Sequence, residues 1–403
     1  MIRSLLTLAL ITSFTITTSA QDVWIKRDSV NGPPRGACAS FELKGEGFVA
    51  TGINMEEFKR KMYSYDLEQD DWDDELSLGG ETGGGLDRAS AIGFSAGGFG
   101  FIGLGTGTSS LKKDLWRYDP ETETWTQMAD FEGEARTGAV AFAVDNVGFV
   151  GTGQSESGLH DDFYKYVVET NTWEALGDFD GLARKEAVGF KMGGKGYIGT
   201  GRSNTGYLKD FWEYDPTEDD WSQKADFPGT PRMGAVGCGV FPSAYLMLGE
   251  DNSFEYQDDV WEWNYFGNVW TQRADYMGGP RTQANAFAVD GRVFVGLGYD
   301  GVYHDDFYEY DRVLSTNEEY MQLHFKAFPN PTSEYLTIQT QKPIHEIRLY
   351  DMQGKIREGQ IIIDGYGSTS LRISGLDKLS KGSYSVVLFD AENNRGSKII
   401  LIQ

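Results

Sequence analysis

Along residues 136–175 the apolar positions fall into four short runs separated by turn residues, and none keeps a helical period. Ala139–Ala143 is small and apolar, and Val147–Val150 is β-branched and aromatic. Phe163–Val167 alternates, and a last run surrounds Trp173. Runs of that length, alternation and punctuation predict a four-stranded antiparallel sheet, with strands a to d in chain order. The unit repeats. Trp24, Trp72, Trp125, Trp173, Trp221 and Trp270 follow one another at 48, 53, 48, 48 and 49 residues. Arg35, Arg88, Arg136, Arg184, Arg232 and Arg281 keep the same beat through the same insertion, at 53, 48, 48, 48 and 49. A period of this size predicts an array of stacked β-units. Strand a is rich in small residues (Ala89, Ser90, Ala91, Gly138, Ala139, Gly234, Ala235, Ala284, Ala286), as expected where inner strands converge on a narrow axis.

Glycines punctuate the end of strand b at Gly103-Leu104-Gly105, Gly151-Thr152-Gly153, Gly199-Thr200-Gly201 and Gly296-Leu297-Gly298. No helical pattern follows them, so they read as turns and not as phosphate-cradling loops. Asp119-Pro120 and Asp215-Pro216 read as tight turns from c to d. With Arg opening strand a, glycines after b, Tyr-Asp after c (Tyr65-Asp66, Tyr118-Asp119, Tyr214-Asp215, Tyr310-Asp311) and Trp in d, the units resemble kelch repeats over roughly residues 22–312. The resemblance implies a six-bladed kelch-type β-propeller over 21–312. The pattern departs from the family in having Gly-x-Gly for an adjacent pair, and in the fifth unit only Gly249 remains, followed by Glu250. The sixth unit lacks a tryptophan near residue 318, whereas Trp24 has no strands before it. Val23–Lys26 is therefore expected to supply the outer strand of the sixth blade and leave no free sheet edge at the join.

The ends differ from the repeats. Arg3, the apolar run Leu5–Ile16 and Thr18-Ser19-Ala20 read as a secretory signal peptide over residues 1–20. No segment is long and apolar enough to suggest a transmembrane helix. Residues 326–403 hold 10 basic and 8 acidic residues, against 25 and 53 in 21–325, so the charge balance breaks after a linker at 313–325. Strand-like runs at 335–340, 344–350, 359–363, 370–373, 382–389 and 398–402 predict a small β-sandwich. The tail resembles the type A C-terminal sorting domain of the type IX secretion system of Bacteroidota. The match lies in Pro329-Asn330-Pro331, the stretch 349–355 with Gly354, Gly382 and Tyr384 in 379–384, and the terminal Lys398–Gln403. That resemblance implies outer-membrane passage by the type IX machinery, and a secreted or surface location.

The whole chain carries 36 Lys and Arg against 61 Asp and Glu, net −25. Such a charge opposes nucleic-acid and anionic-lipid partners. Cys38 and Cys238 fall on inner strands of non-adjacent units, too distant for a disulfide, and are expected to be buried thiols. His160 and His304 occupy equivalent places in opposed units, which argues against a shared metal site, and no cofactor is expected. Strand order puts the d–a and b–c connections at one end, where the six arginines (Arg35, Arg88, Arg136, Arg184, Arg232, Arg281) lie beneath variable loops. Two readings of the series stand. The guanidiniums could bind an acidic sugar through bidentate bonds, or each could pair with an aspartate such as Asp114, Asp162, Asp210, Asp259 or Asp306. Non-repeating loop residues, among them Arg60, Arg202, Tyr207 and Tyr256, would rim a ligand site. A monomeric binding or adhesion module engaging a glycan or an extracellular protein is the expected function. Because kelch-like propellers include sialic acid mutarotase, a carbohydrate-active enzyme is the alternative. Copper oxidase chemistry lacks its ligands, and no unit shows a lone carboxylate that breaks the repeat.

Overall fold

The computed structural model describes residues 22–55, 57–311, 325–341, 343–351, 361–365, 367–390 and 395–403. The segment 1–20 and the body of the 313–325 linker lie outside them. The chain is all-β, with antiparallel four-stranded sheets and two 3-10 turns among the described residues.

Six of those sheets follow the repeat. Sheet one comprises Ala39–Leu43, Glu46–Ala50, Met62–Asp66 and Asp71–Glu75. Sheets two to five run a to d in the same order, from Ile92 to Gln127, Val140 to Ala175, Val188 to Gln223 and Val236 to Arg273. Sheet six takes strands a to c from Asn285–Val289, Arg292–Gly296 and Phe307–Asp311. Its outer strand is Val23–Arg27, which pairs antiparallel with Phe307–Asp311 so that Trp24 faces Tyr310. Trp24 is 4% exposed, with its ring 4.9 Å from Tyr276 and 5.0 Å from Tyr310.

Strand a of each sheet lies against strand a of the next, and that of sheet six lies against that of sheet one. Two rings of backbone hydrogen bonds stitch this circuit. In the first, the second residue after each repeat arginine donates its N–H to its counterpart one sheet back. The bonds run Ala37 to Gln283, Gln283 to Gly234, Gly234 to Glu186, Glu186 to Gly138, Gly138 to Ser90 and Ser90 to Ala37, at 2.8–3.2 Å. All six residues have φ between 48° and 61°, a left-handed geometry that tolerates small or polar side chains. In the second ring, Gly52, Gly105, Gly153, Gly201, Gly249 and Gly298 each donate to the carbonyl of the next sheet's arginine at 2.7–2.9 Å. Their φ values lie between 92° and 103°, so only glycine serves there without strain. The fifth unit keeps this essential glycine as Gly249, and its loop runs one residue longer, with the Gly249 carbonyl accepting from Gln257 where that of Gly201 accepts from Leu208.

The first glycine of each Gly-x-Gly has a different task. A Cβ on Gly151 would sit 1.9 Å from the Phe163 ring. Phenylalanines and tyrosines from strands a to c of adjacent sheets then fill the space between them, as where Phe149 and Phe163 meet Tyr214. The axis remains as a cavity of about 180 Å³ lined by strand-a residues from all six sheets.

The tail is a sandwich of two sheets. One orders Phe325–Phe328, Tyr335–Thr340, Ser370–Ser374 and Ile362–Asp364; the other orders Ile344–Asp351, Gly382–Asp390 and Arg395–Ile402. Leu336, Ile338, Ile347, Leu349, Val386 and Ile400 meet in its core. The strand Phe325–Phe328 adds to the sequence expectation. The Asn330 Oδ1 accepts the Leu401 N–H at 2.8 Å, which joins the two distant ends of the tail pattern. Tyr384 donates its hydroxyl to the Ser380 carbonyl at 2.8 Å. Gly382 opens its strand, and Gly354 lies outside the described residues. Tyr350 packs 5.3 Å from Phe241 and 5.5 Å from Phe266, at the turns of sheet five opposite its loop end.

Candidate functional site

Each repeat arginine is 0–1% exposed, and its local geometry explains why a cation can be buried there. Arg88 donates two hydrogen bonds to Asp114 at 2.7 Å each and a third to the Leu104 carbonyl at 3.1 Å. Arg184 does the same with Asp210 and Thr200, and Arg136, Arg232 and Arg281 pair alike with Asp162, Asp259 and Asp306. An aromatic ring from the preceding turn covers four of these guanidiniums, with Phe131, Phe179, Phe227 and Tyr276 at 4.8–5.1 Å. Burial would raise the Asp114 carboxyl, but the bonds from Arg88 and Trp116 outweigh it and hold it below the usual aspartate range. Fully desolvated and doubly bonded, these groups present nothing to a solute; of the two readings of the series, the geometry is that of the pairing one.

Arg35 breaks the rule. The position of the paired aspartate is Lys61, and Arg35 instead donates to the Tyr63 hydroxyl, the Thr51 carbonyl and the Pro33 carbonyl. The other candidate residues separate. Arg60 is held by the carbonyls of Leu78 and Gly80, at 3.1 and 2.8 Å, and braces the loop that carries the five-residue insertion. Arg202 is exposed, whereas Tyr207 and Tyr256 are half-buried at the same end of the ring. Cys38 and Cys238 are free thiols; Cys238 is buried as expected, whereas Cys38 is half-buried, and desolvation pushes both up to about 12.

His160 lies in a groove of about 700 Å³ between sheets two and three. Its Nε2 is 2.7 Å from the Ser155 Oγ, and its Nδ1 is 3.9 Å from Asp162. That placement outlines a nucleophile, a base and an acid but lacks the function of one. The second distance exceeds a hydrogen bond, Asp162 is already committed to Arg136, and Ser155 is 5% exposed and donates to Glu134 at 2.6 Å. His304 pairs with Asp300 of its own loop at 2.9 Å, with two sheets between it and His160 on either side of the ring. Among the described residues no group of three or more His, Cys, Asp or Glu could hold a metal ion.

Glu186 corrects the expectation that no carboxylate breaks the repeat. It occupies the hydrogen-bonded inner ring, where the other sheets place Ala37, Ser90, Gly138, Gly234 and Gln283. Its side chain leans over Gly138 at the loop end of the axis. Burial pushes its carboxyl above the usual range; Lys185 and Arg202 oppose the rise, and Glu250 adds to it. Lys185, Arg202, Tyr207 and Glu250 lie near it, and further polar and aromatic groups follow on the adjoining loops. Lys185 pairs with Arg202 through the backbone and donates to the Gln154 side chain at 2.6 Å. Tyr207 donates to Glu250 at 3.0 Å, a bond that together with burial pushes its phenol up to about 12. Tyr256 lies 6.2 Å from Tyr299, whose ring is tilted against that of Tyr303 at 4.8 Å. Aligning the repeats on the arginines would have revealed Glu186; the spacing of tryptophans and arginines does not.

No curated protein matches the chain at a significant level. No helix among the described residues is long and apolar enough to cross a membrane. Residues 326–403 match the family model of the secretion system C-terminal sorting domain, and this marks the protein for export by type IX secretion, to the cell surface or beyond it.

Proposed function

We propose that the six sheets are the blades of one kelch-type β-propeller, and that the exported protein uses its loop end to bind a glycan or another surface protein. The two hydrogen-bond rings and the N-terminal outer strand of sheet six support the architecture. One observation carries the binding reading. Large exposed apolar side chains gather at the end formed by the b–c and d–a connections: Met55 at 79%, Phe254 at 74%, Val302 and Met277 at 62% each, and Leu182 at 52%. Met55, Phe254 and Val302 belong to sheets one, five and six, which are consecutive in the ring. Exposed apolar tips on three consecutive loops of an otherwise strongly acidic protein favour an interaction surface. Tyr350 of the tail packs against the opposite turns, so the tail leaves the loop end clear.

The test compares the full-length protein with a Met55→Ser, Phe254→Ser, Val302→Ser variant on a glycan array and in capture of surface proteins from the native host. Loss of capture at an unchanged melting temperature is expected. Equal capture by both proteins refutes the loop-face assignment.

A further inference from the structure

We propose that the loop-side mouth of the axis, built around Glu186 with Arg202, Tyr207, Glu250, Tyr256 and Gln283, is a binding site for a neutral sugar. This deepens the loop-face reading and rests on it. The repeat itself supplies the baseline. At the inner-ring position four sheets place Ala, Ser or Gly, and only sheets four and six place long polar residues, Glu186 and Gln283. A repeat that builds only a scaffold has no need of either.

Glu186 has no hydrogen-bond partner for its carboxylate among the described residues, although burial destabilises its charge. The side chain is half-buried, so its unpaired carboxylate is open to a ligand that can donate to it. A second orphan lies just inside. Asn285 lines the axis cavity where the other strands carry Ala, Ile or Val, is 4% exposed, and leaves its Oδ1 without a partner while its amide donates to the Cys38 carbonyl at 3.0 Å. The mouth and the wall of one cavity therefore both offer unused acceptors.

The surrounding chemistry selects the ligand class. Glu186 and Glu250 accept from hydroxyl groups, and Arg202 and the Gln283 amide donate to hydroxyl oxygens. The half-buried Tyr207 and Tyr256 add apolar ring faces suited to the C–H faces of a pyranose. Two carboxylates against Arg202 and Lys185 balance in charge, so the site favours neither sign. An acidic sugar would also approach a protein of net charge −25. A bare cation would need a third acidic or imidazole ligand, and none is grouped there.

Full-length protein would be titrated with glucose, galactose, mannose, N-acetylglucosamine and their disaccharides, with glucuronic acid as the charged arm, by ligand-observed NMR and calorimetry. At least one neutral sugar should bind, and Glu186→Gln and Tyr256→Ala should each weaken it roughly tenfold or more. Glu186→Gln should melt no lower than the parent at neutral pH, which separates lost binding from lost folding. Failure of every neutral sugar to bind, binding of glucuronic acid alone, or undiminished affinity in both variants would overturn the proposal. Capture lost in the loop-tip variant but kept in Glu186→Gln would overturn the sugar site alone and leave the loop-face reading standing.

Discussion

Five buried guanidiniums with aspartate partners, beside one without, show how the repeat solves and then varies a single electrostatic problem. In Arg88 and its four equivalents the side chain bonds within its own sheet while the backbone carbonyl receives the glycine of the sheet before, so one residue fixes two interfaces. Replacing Arg88 by Met strands Asp114 and should cost about 3 kcal/mol, toward the low side because the carboxylate keeps some water. Arg35→Met strands no carboxylate and should cost less, although the side chain is equally buried. The pH dependence separates the two further. Asp114 titrates below its unfolded value, so its contribution is present above the ordinary aspartate range and is lost as pH falls through the depressed folded value. The deficit of Arg88→Met should therefore narrow toward acid pH, and that of Arg35→Met should not. Urea melts of both variants across the acid range decide this, and a constant Arg88→Met deficit would contradict it.

At the scale of the element, the N-terminal strand matters out of proportion to its five residues. Val23–Arg27 covers the edge of Phe307–Asp311, and Arg27 ties Glu309 at 2.9 Å through its Nε. Removing residues 22–27 opens that edge and uncovers Tyr276 and Tyr310, so a large fall in melting temperature with aggregation is expected. Trp24→Ala alone should cost about 3–5 kcal/mol, since a buried indole is removed between two rings. A truncated chain that melts within a degree or two of the parent in calorimetry would show that the ring is held elsewhere. This position was legible in the sequence because six tryptophans must serve six sheets, and only the first lacked strands before it. The strand Phe325–Phe328 was not legible: four residues at the boundary of linker and tail, none of them buried, carry too short a pattern to read as a strand until Tyr335–Thr340 pairs with them.

For the molecule as a whole, the tail and the ring divide the work. The sorting domain lies at the C-terminus and its ends are tied by Asn330 and Leu401. Deleting residues 326–403 should leave the ring folded and retained in the periplasm, as read by fractionation of the native host and by the thermal melt of the purified ring. Efficient secretion of the tailless protein would mean that the address lies elsewhere.

The sequence by itself determined the repeat, its β character, the tail and its export, because each is written in local periodicity or in an ordered run of residues. It also named the aspartates that could neutralise the arginines. What it left open was whether those charges faced one another or the solvent, since both readings place the same residues at the same spacing. Tertiary packing decided that by burying the guanidiniums under aromatic rings and closing bidentate bonds over them. Glu186 joined Gln283 on one inner ring, above the cavity that Asn285 lines, only through the circuit of inner strands. Residues some 50 to 100 positions apart in the chain meet there, and no local pattern encodes a contact made by closing a ring.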